Sequence, residues 1–341
     1  MRRSVALLIV AVAFLLCGTA EADVSLTVAT PVRVWGATAL LSVREGDGFR
    51  LATQRGTRPP VPLRGIAPAS HPFEADIGPG PSGSPVVVFA RCSAGACRLM
   101  RTTLAGNEEV AISGSAGANG SERAPAVWGN RIAFARRLAN GAEQVYVRPL
   151  QASKPTRSVL LPAIPRPPCE AVKRSLCRPV VFRPAVMQLS MRGSMLAETI
   201  DLGLIEEELC DRTEIRLVDL ASHRSRRVTY SLCGLSGSTL LGASLTATHL
   251  LWARTCPGDP GGCQSHNTLL YRYGLRDHDT QQAPQQDVLV SFAAEDNDRA
   301  VAISAPAEEG GDCLNQLQAA NPPCELMRVG PIAFKAVAGR R

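Results

Sequence analysis

A four-strand grammar that returns about six times constrains this chain more than any other feature. A short strand ends in a turn, and a strongly apolar strand follows. Then come a hairpin of variable length, an alternating strand and a weaker outer strand. The apolar second strands lie at 39–44 (ALLSVR), 85–91 (PVVVFAR), 131–136 (RIAFAR), 195–200 (MLAETI), 249–254 (HLLWAR) and 299–305 (RAVAISA). The alternating third strands lie at 49–54 (FRLATQ), 97–102 (CRLMRT), 144–148 (QVYVR), 214–219 (EIRLVD), 268–273 (TLLYRY) and 324–329 (CELMRV). The first strands carry a fainter echo: VRVWG at 32–36, AVWG at 126–129 and QLSMRG at 188–193. Candidate outer strands are 61–66, 109–113, 158–161, 227–231 and 332–337.

Units of about four strands repeating every roughly 45–65 residues are the sequence form of β-propeller blades. One twisted sheet cannot bury both faces alone, so the units must stack around an axis. A second strand buried on both faces has no reason to alternate, and these do not. The expected fold is all-β, a six-bladed β-propeller with about four antiparallel strands per blade. The expected blades are 31–68, 73–114, 123–163, 185–233, 238–284 and 286–338, within a single domain over 23–341, with a long Pro- and Arg-rich loop at 162–184. A pair of β-sandwiches also spaces its strands evenly, but does not predict a fourfold grammar repeated six times. The segment VSLTV at 24–28 precedes the first unit and either adds to the last blade, locking the ring, or forms a tail.

The first 22 residues, MRRSVALLIVAVAFLLCGTAEA, read as a cleaved signal peptide. Arg2 and Arg3 form the charged start, the run from Val5 to Leu16 is the apolar part, and Ala20-Glu21-Ala22 fits the small-x-small cleavage rule. A secreted or cell-envelope protein beginning near Asp23 is expected, without a membrane-spanning helix. Loss of Cys17 turns eleven cysteines into ten, an even number that in an exported chain implies disulfides.

In the repeat frame, Cys92 and Cys97 flank the hairpin between the second and third strands of one unit. Cys256 and Cys263 hold the same place in a later unit, and Cys313 and Cys324 in the last. Cys169 and Cys177 fall in the Pro-rich loop. Cys210 precedes a third strand and Cys233 follows the matching outer strand; Cys177–Cys210 is the alternative to pairing those two. A metal reading would rest on Cys263-Gln-Ser-His266 with His278 nearby, but no second short-spaced pair accompanies it, so no metal and no cofactor are expected.

The stretch IRLVDLASHRSRRVT at 215–229 resembles the third and fourth strands of a TolB-like propeller blade, where a hydrophobic-x-hydrophobic-x-Asp strand leads through a polar turn to Arg-x-Val/Leu-Thr. CRLMRTTLAGNEEVAI at 97–112 is similar to the same frame in degraded form. The family's Ser-Pro-Asp-Gly turn has its nearest counterpart in Val-Trp-Gly-Asn at 127–130. The resemblance implies a binding platform; some relatives carry a fused peptidase domain, for which six blades leave no room.

Motifs of chemistry fail on inspection. Gly78-Pro-Gly-Pro-Ser-Gly83 matches the dinucleotide fingerprint in letters, yet Pro79 and Pro81 have no N–H to offer a phosphate, and a strand follows in place of a helix. Gly234-Leu-Ser-Gly-Ser238 has Ser where a nucleophile elbow needs its second Gly. His71, His223, His249, His266 and His278 sit in no nucleophile frame, and Glu206, Glu207, Glu208 and Asp211 read as a solvated loop. His223-Arg224-Ser-Arg226-Arg227 is a basic turn on an outer edge. The net charge of +7 falls to +6 without residues 1–22, is scattered, and has few aromatic platforms beside it at 4% aromatic content, so nucleic acid is excluded as a partner. The expectation is a monomeric, non-enzymatic module that binds a protein or envelope polymer through rim loops. The alternative is a channel-site hydrolase or lyase acting on a sugar or lactone.

Overall fold

The computed structural model describes residues 24–26, 31–93, 96–106, 108–113, 121–151, 159–164, 183–205, 210–232, 239–256, 267–285, 288–305 and 324–337. Twenty-five strands and no helix occur among them. Strand β1 is Val24–Leu26. The first sheet runs, from inside outward, β2 (Arg33–Trp35), β3 (Thr38–Glu45), β4 (Gly48–Arg55) and β5 (Val61–Pro62). The second is β6 (Ala75–Pro79), β7 (Pro85–Ser93), β8 (Ala96–Thr103) and β9 (Val110–Ala111); the third is β10 (Ser121–Trp128), β11 (Arg131–Arg137), β12 (Glu143–Pro149) and β13 (Val159–Leu160). The fourth is β14 (Ala185–Arg192), β15 (Met195–Ile205), β16 (Cys210–Asp219) and β17 (Arg224–Leu232). The fifth is β18 (Thr239–Leu245), β19 (His249–Cys256), β20 (Asn267–Gly274) and β21 (Thr280–Gln285); the sixth begins with β22 (Val288–Glu295), β23 (Arg299–Ala305) and β24 (Cys324–Val329). Neighbouring strands are antiparallel throughout, and the molecule is a six-bladed β-propeller.

The ends of the chain close the ring. β1 pairs with β24, Leu26 opposite Cys324, and supplies the outer strand of the sixth blade from the other end of the chain. The expected outer strand at 332–337 goes elsewhere: β25 (Lys335–Ala336) pairs with β21 as a fifth strand of the fifth blade. With the outer place of the sixth blade occupied, the C-terminal segment crosses to its neighbour. Ile332 and Phe334 pack there on the cluster between the two blades, and Arg272 lies over the Phe334 ring at 4.6 Å.

The core is divided among the junctions. Six clusters of buried side chains each lie between adjacent blades, and the second strands feed two of them at once. Leu41 packs toward the sixth blade while Leu40 packs toward the second. Val87 and Phe89 face the first blade while Val86 and Val88 face the third. Each such side chain contributes about 1.5–3 kcal/mol by leaving water.

A second device joins the blades. The inner strand of a sheet has an edge with no ladder partner, and its N–H groups need acceptors. At every junction a side chain of the preceding blade accepts an N–H from the next inner strand or, for Phe73 and Val32, from the residues just before it. Phe73 donates to Ser42 Oγ at 2.8 Å, Val127 to Asp76 Oδ2 at 2.8 Å and Val186 to Glu143 Oε2 at 2.8 Å. Leu245 donates to Ser190 Oγ at 3.0 Å, Leu289 to Thr268 Oγ1 at 3.0 Å, and Val32 to Ser291 Oγ at 2.9 Å across the closure. The blades approach closely enough that a Cβ on Gly78 would meet the Val127 carbonyl oxygen at 2.4 Å. That glycine of the apparent dinucleotide motif therefore serves packing.

Candidate functional site

Antiparallel alternation makes the two rims different. Inner and second strands join by tight turns at one rim, so every second-to-third hairpin falls at the opposite rim. The Trp-Gly pairs at 35–36 and 128–129 belong to the first rim, where Gly36 at φ 54° and Gly129 at φ 61° make turns that a side chain would strain.

At this turn-side rim the inner strands enclose a cavity of about 240 Å³ lined by residues of all six blades. Its mouth is a line of four side chains from four blades. Trp35 and Trp128 meet edge to face with centroids 5.3 Å apart. The Arg192 guanidinium lies over the Trp128 ring at 4.9 Å and pairs with Asp296 at 3.0 Å. Asp296 Oδ1 accepts the Ala247 N–H, so the fifth blade is tied in as well.

Deeper in the channel, Arg33 and Asp76 face each other at 3.9 Å. Arg33 lines both this cavity and a second one at the hairpin rim, so its side chain sits across the channel between them. It donates through Nη1 to the Val32 carbonyl at 2.8 Å, while Nε has no hydrogen-bond partner among the described residues. Burial pushes the Asp76 carboxyl up to about 6, against the pull of Arg33 and of the Val127 and Ile77 N–H groups. Burial also lowers the Arg33 guanidinium, with Asp76 and Glu74 opposing.

The hairpin-side cavity is lined by Glu74, Ala124, Pro125, Met187, Gln188 and Phe292 among others. Arg123 bridges Glu74 and Glu143 there, at 3.0 Å and 2.9 Å. Glu74 also accepts the Ala124 N–H at 2.7 Å, which holds Ala124 at φ 47° in a β-bulge of β10. That conformation is costly for alanine and persists because its surroundings fix it.

Cys92 and Cys97 form a disulfide across the β7–β8 hairpin, their Cα atoms 3.9 Å apart as a directly opposed pair. The bond lies at the hairpin rim. Cys324 opens β24, is fully buried and is disulfide-bonded. Cys210 opens β16 and Cys256 ends β19. Cys169, Cys177, Cys233, Cys263 and Cys313 lie outside the described residues, as do His266, Glu206, Glu207, Glu208 and the Gly234–Ser238 stretch. His249 and His278 both belong to the fifth blade, His223 to the fourth, and His71 precedes β6; His71 contacts Ser70, His249 contacts Thr248, and His278 contacts Tyr273 and Arg226. Among the described residues no group of three His, Cys, Asp or Glu could hold a metal, and no helix is long and apolar enough to cross a membrane. Sequence reading missed Arg33, Asp76, Arg192 and Asp296. The one usable signal was the repeated Trp before a Gly turn.

No protein-family model matches the chain, and no curated protein matches it. Among solved structures it is similar to TolB from Acinetobacter baumannii, with 11% identity and a TM-score of 0.48 over 88% of this chain and 65% of that one. It is similar to an α-L-arabinanase of Penicillium chrysogenum, with 11% identity and a TM-score of 0.49 over 92% of this chain and all of that one. A puromycin-hydrolysing peptidase of Mycobacterium tuberculosis matches at 13% identity and a TM-score of 0.46, over 94% of this chain and 50% of that one. The chain thus spans less than two thirds of the TolB chain and half of the peptidase.

Proposed function

We propose that the protein is a non-enzymatic binding module of the cell envelope or exterior, exported by the segment 1–22 and folded as one monomeric propeller domain over 23–341. On this reading the cysteines beyond the Cys92–Cys97 pair are oxidised too, and no cofactor takes part. The partner is a protein or an envelope polymer, and the turn-side mouth is the primary contact. The observation that supports this is the line Trp35, Trp128, Arg192 and Asp296, drawn from the first, third, fourth and sixth blades. Indole faces take apolar or ring-bearing groups, and the Arg and Asp flanking them take groups of either sign. A rigid ring holds these side chains before the partner arrives, which lowers the cost of ordering them.

The second reading, a channel hydrolase or lyase acting on a sugar or lactone, draws support from Asp76. A carboxyl raised to about 6 beside Arg33 in a channel has the character of a general acid.

Tryptophan emission tests both readings. Trp252 is buried against Tyr271, and Trp252→Phe leaves the two mouth indoles as the reporters. Titration of this variant with purified anionic envelope polymer, and with a panel of peptides, is expected to give a saturable change with one of them, and Arg192→Ala is expected to abolish it. A probe that binds by calorimetry without moving the emission contradicts mouth binding. Turnover of a chromogenic glycoside or lactone that Asp76→Asn abolishes establishes the second reading.

A further inference from the structure

The outer edges of the blades are managed unequally. β5, β9 and β13 are two residues long, too short to template another strand. β21 is covered by β25, and β24 by β1. β17 is nine residues long and is the outermost strand of its sheet, with no strand paired to its outer side among the described residues. A long open edge presents unpaired N–H and C=O groups at alternate positions, the template that strand addition uses.

The charge on this edge is of one sign. β17 carries Arg224, Arg226 and Arg227 and no acidic residue, and His223 precedes it. Arg226 lies over Tyr273 at 5.1 Å and contacts His278, which holds it in place without neutralising it. Arg227 pairs with Glu214 at 3.3 Å and lies over Tyr230 at 4.8 Å. The cross-strand carboxylate of Asp219 is engaged by the Ala221 and Ser222 N–H groups. Arg224 and Arg227 are exposed, and Tyr230 is 38% exposed, an aromatic contact at the far end of the edge.

We propose that β17 is a docking edge for one extended acidic segment of a partner protein, added as a further strand of the fourth blade. The chain itself adds an outer strand to two other blades in this way, β1 to the sixth and β25 to the fifth. The segment that fits has Glu or Asp at alternate positions facing Arg224 and Arg226, and an apolar residue against Tyr230. This surface lies on the side of the ring, distinct from the channel mouth.

The test uses two capped peptides, one alternating Glu with Val and one alternating Lys with Val, with the intact mature protein. Fluorescence anisotropy should show the acidic peptide binding at least about tenfold tighter, because opposite charge steers and holds it while like charge opposes, and rising salt should weaken it. Hydrogen exchange should show new protection at alternate amides within 224–232. Arg224→Glu with Arg226→Glu should reverse the preference between the peptides. Arg224→Ala, on an exposed side chain, is expected to weaken the acidic peptide without altering thermal stability. Protection of the outward-facing amides of β17, those not bonded to β16, before any peptide is added would show that the chain covers its own edge, and overturn the proposal. Equal binding of both peptides, or protection mapping elsewhere, would overturn it as well.

Discussion

Glu198 shows how a single side chain can set the pH response of the molecule. It lies in β15 with about 1% of its surface exposed, and neither carboxylate oxygen has a hydrogen-bond partner among the described residues. Arg216 stands 3.5 Å away, itself buried and tied to Ser225. Burial outweighs that pairing and pushes the Glu198 carboxyl up to about 7, from an ordinary 4.5. The folded protein therefore holds a proton that the unfolded chain has released between those values. Stability is greatest on the acid side and falls as pH rises through the window, by up to about 1.4 kcal/mol per pH unit for one group. Asp76 acts in the same direction up to about 6. Glu198→Gln should flatten the upper part of the slope, as read from denaturant midpoints between about pH 5 and 7. An unchanged slope would show that Glu198 titrates as it does when unfolded. The residues that matter here and at the mouth were hidden in the sequence for one reason: each gains its character from groups in another strand or blade. Arg33 and Asp76 are partners only because the ring brings two inner strands together, and no spacing along the chain expresses that.

Elements were legible where burial imposes a pattern. The second strands show as continuous apolar runs because both faces are covered, and the third strands alternate. Inner and outer strands give weaker signals. β6, with the sequence ADIGP, resembles a loop because Asp76 serves as an acceptor for Val127 and Gly78 allows a close approach. Outer strands of two residues carry no periodicity at all, which is why 332–337 is expected in the sixth blade from sequence although β25 joins the fifth. The β7–β8 hairpin was legible through its cysteines. Its disulfide closes so short a loop that the entropic stabilisation should fall below the roughly 3 kcal/mol of a fifteen-residue loop. Replacing Cys92 and Cys97 together by Ser should leave the far-ultraviolet spectrum unchanged and lower the melting temperature by a few degrees at most. Global unfolding of that variant would mean that the bond holds the ring and does more than stiffen the hairpin. Thiol titration of the denatured chain 23–341 should find no free thiol; six or more would return the cysteines to a metal-binding role.

At the scale of the whole molecule, the repeat carried the six-bladed ring, and closure depends on β1 joining the last blade. A chain beginning at residue 31 lacks β1 and leaves the β24 edge open, so it should melt lower and associate through that edge. The binding proposal rests on the ring being rigid and locked at every junction, and amide hydrogen exchange of the intact protein measures that directly. The amides of Val127, Val186, Leu245 and Leu289 lie on inner edges without ladder partners and those of Phe73 and Val32 just before β6 and β2, yet each donates to a side chain of the preceding blade. They should exchange as slowly as the amides of the second strands, and Val32, which spans the closure, should be the first to accelerate in the chain beginning at residue 31. Exchange of these six amides at the rate of exposed turns in the intact protein would contradict a locked ring, and with it a mouth formed in advance of its partner.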